Sequence, residues 1–305
     1  MTRTVMVPLD GSPFAEQALP AALDAARRLG ASLDLVLVHR PIPAMAPFDG
    51  AAFLDPKVED QLRVEERQYL ARLSERPEVR AAGPVTTSLL EGPVASALAD
   101  HARVTGASLV VMTTHGRGPV SRFWLGSVAD RLLRTLEPPI LLVRPGETRR
   151  ELPADGLHVL IPLDGSGRSD QAVRPVEELG LPPGSVLTLL EVIEPVIPVW
   201  VPEAMPVAPE PQAVLEERRH AAMHHLHELA VRLRKSGHVV HVEAPIDVDV
   251  PGAILRVAHD LKADLIAIAT RGLGGATRLL LGSVTDKVVR GAEVPVLVWR
   301  RPESG

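Results

Sequence analysis

Apolar residues in this chain concentrate in short segments, several broken by a polar residue, and the segments form two sets of five. In the first half they cover residues 5–9, 33–38, 85–90, 109–113 and 140–143. In the second half they cover residues 159–163, 187–192, 239–243, 265–269 and 296–299. Runs of this length without alternation predict strands covered on both faces. Longer amphipathic stretches separate them and predict helices near residues 57–74, 93–104 and 127–136. A first helix is expected to start at Pro13, which suits the first turn, and to run to Gly30, a good stop. Strands buried on both faces and alternating with helices predict an α/β fold: two tandem doubly wound domains, each a five-stranded parallel sheet with helices on both sides.

The halves are copies of one another. They open alike, Val7-Pro8-Leu9-Asp10-Gly11-Ser12 against Ile161-Pro162-Leu163-Asp164-Gly165-Ser166, and close alike, Pro139-Ile140-Leu141-Leu142-Val143-Arg144 against Pro295-Val296-Leu297-Val298-Trp299-Arg300. A polar, charged linker near 145–155 divides them, which places the domains at 1–146 and 156–305. A proline-rich stretch follows the second strand of each half, at 41–56 and 195–211. Prolines at 195, 198, 202, 206, 209 and 211 exclude a long helix in the latter, so a loop is expected.

The repeat also carries the chemistry. Thr114-His115-Gly116-Arg117-Gly118 leads on to Gly126-Ser127, and Thr270-Arg271-Gly272-Leu273-Gly274 leads with the same spacing to Gly282-Ser283. Each segment leaves a strand and opens a helix. Glycines let a backbone approach an anion, and a helix start offers unpaired N–H groups and a positive dipole end. Ser127 and Ser283 have two compatible readings, as phosphate contacts and as first residues of a capping box ending at Asp130 or Asp286. Ser12 and Ser166 are better placed than Asp10 and Asp164 to cap the first helix of each half, which leaves the aspartates free for a ligand. Arg122 and Arg278 occupy equivalent places in the glycine segments, with a solvated role as well supported as a phosphate contact.

Composition narrows the classes. The chain has 305 residues and a formal net charge of −5, which gives no broad attraction to nucleic acid or anionic membrane. It has no cysteine, so disulfide and thiol chemistry are excluded. No apolar run approaches bilayer-spanning length and the N-terminus does not read as a signal peptide, so the expectation is a cytoplasmic protein without a membrane partner. The four lysines, Lys57, Lys235, Lys262 and Lys287, all lie outside the glycine segments, and the Walker pattern is absent. No catalytic residue is assigned. His220, His224 and His227 share one helical face at a spacing that suits zinc or nickel. Nothing else in the sequence completes a ligand set, so a solvated face is expected and no metal site is assigned.

On the paired aspartates and glycine segments the chain resembles a tandem universal stress protein, two family domains fused head to tail. The resemblance implies strand order 3-2-1-4-5 and an ATP crevice at the switch point between strands one and four. It implies a nucleotide-dependent regulator of the stress response rather than an enzyme, with ATP, with or without Mg2+, as ligand. Carried onto this sequence, the implied nucleotide-binding residues of the first domain are Pro8, Asp10, Arg40, Thr113, His115, Gly116, Arg117, Gly118, Gly126, Ser127 and Val128. Those of the second are Pro162, Asp164, Val192, Ala269, Arg271, Gly272, Gly274, Gly282, Ser283 and Val284. The aspartates are implied to face adenine or ribose, and Arg40 and Val192 to stand where the backbone meets adenine. Thr113 and Ala269 replace the first glycine of the family pattern, which strains the backbone if that position needs positive φ and matters less if it needs only a small residue. Val250-Pro251 replaces the glycine-proline of Gly92-Pro93. The resemblance further implies pairing of the two domains through their last strands as an intramolecular pseudo-dimer, with a homodimer as a further step. Two other readings stand beside it, a slow ATP hydrolase and an interaction scaffold whose nucleotide sites have decayed.

Overall fold

The computed structural model of the chain describes residues 3–41, 56–114, 125–144, 153, 156–166, 169–196, 210–270 and 282–300. Two compact units divide it, Met1–Glu151 and Leu152–Gly305. Unit 1 runs β1 (Thr4–Leu9), α1 (Pro13–Glu16), α2 (Leu19–Leu29), β2 (Ser32–Val38), α3 (Pro56–Ser74), α4 (Pro77–Arg80), β3 (Val85–Leu90), α5 (Val94–Thr105), β4 (Leu109–Thr113), α6 (Ser127–Thr135) and β5 (Ile140–Val143). Unit 2 runs β6 (His158–Leu163), α7 (Ser169–Glu177), β7 (Val186–Glu191), α8 (Gln212–Lys235), β8 (Val239–Glu243), α9 (Val250–Asp260), β9 (Leu265–Thr270), α10 (Ser283–Gly291) and β10 (Val296–Arg300).

All ten expected strands form, within one residue at each end. Within unit 1 the order is β3-β2-β1-β4-β5 and within unit 2 β8-β7-β6-β9-β10, with every pair parallel. The order fits the burial. Val5, Met6 and Val7 of β1 and Val159, Leu160 and Ile161 of β6 are wholly buried, as strands covered by helices on both faces must be. The outer strand β3 is partly exposed.

The helix expected over 13–30 is two helices. Pro20 has no N–H to give the Glu16 carbonyl, and its ring crowds that carbonyl, so the ladder breaks at Gln17–Ala18. The second piece does stop at Gly30, which takes φ +57° and donates back to Ala26 and Arg27. The Val250-Pro251 departure is absorbed in the same local way. Gly92 takes φ +106°, outside α5, whereas Val250 is the first residue of α9 and Pro251 lies in its first turn.

A buried carboxylate ties β2 to α5 and β3. Asp34, 2% exposed, accepts from His101 Nε2 at 2.6 Å, Ser88 Oγ at 3.1 Å and Thr86 Oγ1 at 3.2 Å. Its counterpart in unit 2 is the buried Thr188, bonded to His158 Nε2 at 2.8 Å.

Candidate functional site

The centre of each sheet opens toward the carboxyl ends of its strands. β1 and β4 pair at Val5–Leu109 and Met6–Val110, and β6 and β9 at Val159–Leu265 and Leu160–Ile266, with no further pair. The sequence supplies the reason. Ser108 donates to the Thr4 carbonyl at 2.8 Å and Ser32 to that of Arg3 at 2.9 Å, so the even residues of β1 turn their backbone groups toward β4. After Met6 the next such residue is Pro8, which has no N–H. In unit 2 Asp264 donates to the His158 carbonyl and Val186 to that of Leu157, both at 2.8 Å, which puts Leu160 and then Pro162 on the β9 side. Proline thus ends the central ladder at the same step in both units.

Two features flank each opening. The first is the turn after β1 or β6. Ser12 caps α1 by accepting from Ala15 N–H at 3.2 Å, as expected. The aspartates are not left free, however. Asp10 Oδ1 accepts from the Ser12 amide at 2.9 Å and the Ser12 hydroxyl at 2.6 Å, and Asp164 Oδ1 from Ser166 at 3.2 and 2.7 Å. A carboxylate two residues before an amide closes an Asx turn, which fixes the direction of its second oxygen.

The second feature is the uncapped start of α6 or α10. The residues preceding these helices are Gly126 (φ −60°, ψ 146°) and Gly282 (φ −57°, ψ 143°), so Ser127 and Ser283 are first helical residues rather than caps. The capping box that the sequence also allowed is not seen: the serines are one residue too far into the helix, and Asp130 pairs with Arg134 at 2.7 Å and Asp286 with Arg290 at 2.8 Å. Among the described residues no side chain caps either helix, and both serines are exposed. The first amides of a helix without a cap are suited to an anion. Gly126 donates to the Thr114 carbonyl at 2.8 Å, which returns the chain to the end of β4. Gly282 needs to be glycine for no internal reason: its φ is ordinary and a Cβ there would meet nothing within 4 Å. Space kept clear at a helix start is what close approach of a ligand requires.

The other expected residues divide between those placed and those not. Thr113 and Ala269 are strand residues paired with Val143 and Trp299, and neither has positive φ, so their departure from glycine strains nothing. Val128 and Val284 stand in the first turns of α6 and α10. Arg40 is exposed just beyond β2. It and Val192 are not equivalent: the strand register matches Val192 to Val38, and Arg40 to Glu194. His115, Gly116, Arg117, Gly118 and Arg122, with Arg271, Gly272, Gly274 and Arg278, lie outside the described residues.

Side chains that the sequence did not single out crowd the unit 1 opening. Tyr69 is held well above the ordinary phenol range, by burial first and then by the carboxylates of Glu16 and Asp10. His39, 1% exposed, closes the end of β2 with a carboxylate on each ring nitrogen, Glu59 on Nε2 at 2.5 Å and Glu66 on Nδ1 at 2.7 Å. Burial opposes its charge, yet the two carboxylates win and raise its pKa above 6.5. No local sequence pattern announces either residue, because their partners come from α1 and α3. The histidines at 220, 224 and 227 are exposed, and His227 Nδ1 bonds its own helix at the Met223 carbonyl (2.7 Å). Among the described residues no group of three ligand-type side chains gathers as a metal site, and no helix is long and apolar enough to cross a membrane.

Known proteins match this arrangement over nearly the whole chain. The sequence profile of the Universal stress protein family matches residues 1–144 and again 157–300. Universal stress proteins of Mycobacterium bovis and Mycobacterium tuberculosis are each 27% identical over 317 residues, covering 98% of this chain and 96% of theirs. Among solved structures, a universal stress protein from Archaeoglobus fulgidus has a similar fold, with TM-score 0.66 and 19% identity over 98% of this chain and 97% of that one. A universal stress protein of Pseudomonas aeruginosa gives 0.59 and 18% over 98% and 93%.

Proposed function

The chain belongs to the universal stress protein family, and on that premise we propose that it binds ATP at the opening of its sheets and serves as a nucleotide-dependent regulator of the stress response. The observation that carries this reading is the pairing, in both units, of a proline-ended ladder with an uncapped helix start. The phosphates lie on the first amides of α6 or α10 and on the Ser127 or Ser283 hydroxyl. The base and ribose lie toward Asp10 or Asp164, whose second oxygen accepts from an amino or hydroxyl group. Mg2+ accompanies the phosphates as a counter-ion.

The chemistry favours holding the nucleotide over turning it over. No lysine lies in either glycine segment, and the first carboxylates beside the opening, Asp10 and Asp164, are engaged in Asx turns. The ordinary φ of Thr113 and Ala269 weighs against sites that have decayed. A cytoplasmic location and homodimerisation belong to the same proposal, the latter read by light scattering. The direct test is mass spectrometry of small molecules released from freshly purified, denatured protein, with melting measured in millimolar ATP. Released adenine nucleotide and a raised melting temperature support the reading, since a ligand of the native state must stabilise it. If no nucleotide is released and the melting temperature does not rise, the scaffold reading takes its place.

A further inference from the structure

The two units differ in charge where their second strands end. Leu9 stands opposite Leu37 in unit 1, and Leu163 opposite Glu191 in unit 2. The next step of the ladder, from His39 N–H to the Leu90 carbonyl, recurs from Ile193 N–H to the Pro245 carbonyl, both at 2.8 Å. Leu37, His39 and Arg40 therefore correspond to Glu191, Ile193 and Glu194. With histidine counted neutral, that trio carries one positive charge in unit 1 and two negative charges in unit 2. The glycine segments do not compensate, since each has two arginines, Arg117 and Arg122 against Arg271 and Arg278.

Glu191 also lies against the site. Its Oε1 is 2.5 Å from where a Cβ on Gly165 would stand, so the carboxylate abuts the turn that holds Asp164. Two basic side chains lie nearby. His225 Nδ1 is 3.8 Å from Oε2, and Arg218 is engaged by both oxygens of Glu210 at 3.0 and 3.1 Å. Burial raises the Glu191 pKa, His225 opposes it, and the Asp164 charge raises it further, with Arg218 opposing. In unit 1 two carboxylates of α3, Glu59 and Glu66, are engaged by His39.

Resting on the nucleotide reading above, we propose that Glu191 in the place of Leu37, with Glu194 in that of Arg40, makes unit 2 the weak nucleotide site, so that the chain holds one polyphosphate nucleotide tightly, in unit 1. A ligand seated in unit 2 covers a carboxylate and brings a polyanion toward two like charges. Both effects oppose binding, together by at least about tenfold at moderate salt.

Calorimetric titration of the full chain with ATP tests this. The wild type takes one ATP per chain tightly and a second at least about tenfold more weakly. Glu191→Leu, and Glu191→Gln with its unchanged size, each strengthen the second phase about tenfold and leave the first as it was. Two equal sites in the wild type overturn the proposal. So does an unchanged second phase in either variant that melts as the wild type does. Failure of the wild type and both variants to bind any ATP is a different result, which removes the nucleotide reading and this inference with it.

Discussion

Met6 and Val110 form the last pair of the ladder between β1 and β4, and Pro8, two residues on, is what keeps that ladder from going further. The same relation holds between Leu160 and Ile266 before Pro162. A proline in a central strand is ordinarily a liability, because it removes a ladder hydrogen bond. Here its loss makes room between strands that would otherwise close.

The first prediction follows from that relation. Pro8→Val with Pro162→Val restores the N–H on the β4 and β9 sides and lets the central ladders extend. ATP binding, measured by calorimetry, falls by about tenfold or more, while the melting temperature does not fall. Unchanged affinity would show that the prolines do not set the opening.

Serines at two helix starts should behave in opposite ways. Ser12 caps α1, so Ser12→Ala costs about 1 kcal/mol of stability in chemical denaturation. Ser127 and Ser283 are exposed and cap nothing, so Ser127→Ala with Ser283→Ala changes stability by less than about 0.5 kcal/mol. The ATP affinity of that double variant nevertheless falls. A loss of stability equal to that of Ser12→Ala would return these serines to a capping role.

His39 predicts a pH dependence of stability. Its imidazolium is favoured in the folded protein by Glu59 and Glu66, whose own helix also carries Arg63 beside Glu59 at 3.9 Å. Because the folded pKa is raised above the unfolded value of 6.5, the stabilisation is fully present below that value and is lost as pH rises through the folded one. The melting-temperature gap between wild type and His39→Gln is therefore wider near pH 6 than near pH 9. A gap that widens toward alkaline pH contradicts the assignment.

Asp34 is a structural counterpart with a larger effect. Asp34→Ala leaves His101, Ser88 and Thr86 without their shared acceptor and costs about 3–5 kcal/mol in denaturant unfolding. A cost below about 1 kcal/mol would mean that water replaces the carboxylate freely.

The fold was readable because it rests on local signals. Short segments rich in apolar residues marked every strand within a residue, and Gly30 marked a helix end. The break before Pro20 was equally local, but a helical pattern on both sides concealed it. The site was less legible. Asp10 looked free because its bond to Ser12 depends on turn geometry, and the capping reading of Ser127 stayed open because the shift of one residue to Gly126 leaves no trace in composition. Arg40 and Val192 looked equivalent until the strand register matched Arg40 to Glu194. His39 and Tyr69 were invisible, since what matters about them is which distant carboxylates surround them.

The central claim, that ATP lies on the starts of α6 and α10, is tested most directly by calorimetric titration of Gly126→Val with Gly282→Val. Both glycines have ordinary backbone angles, and a Cβ on Gly282 meets nothing. The predicted result is a protein that melts like the wild type without ligand but loses ATP binding by about a hundredfold or more. ATP affinity equal to that of the wild type, in a folded variant, would contradict it.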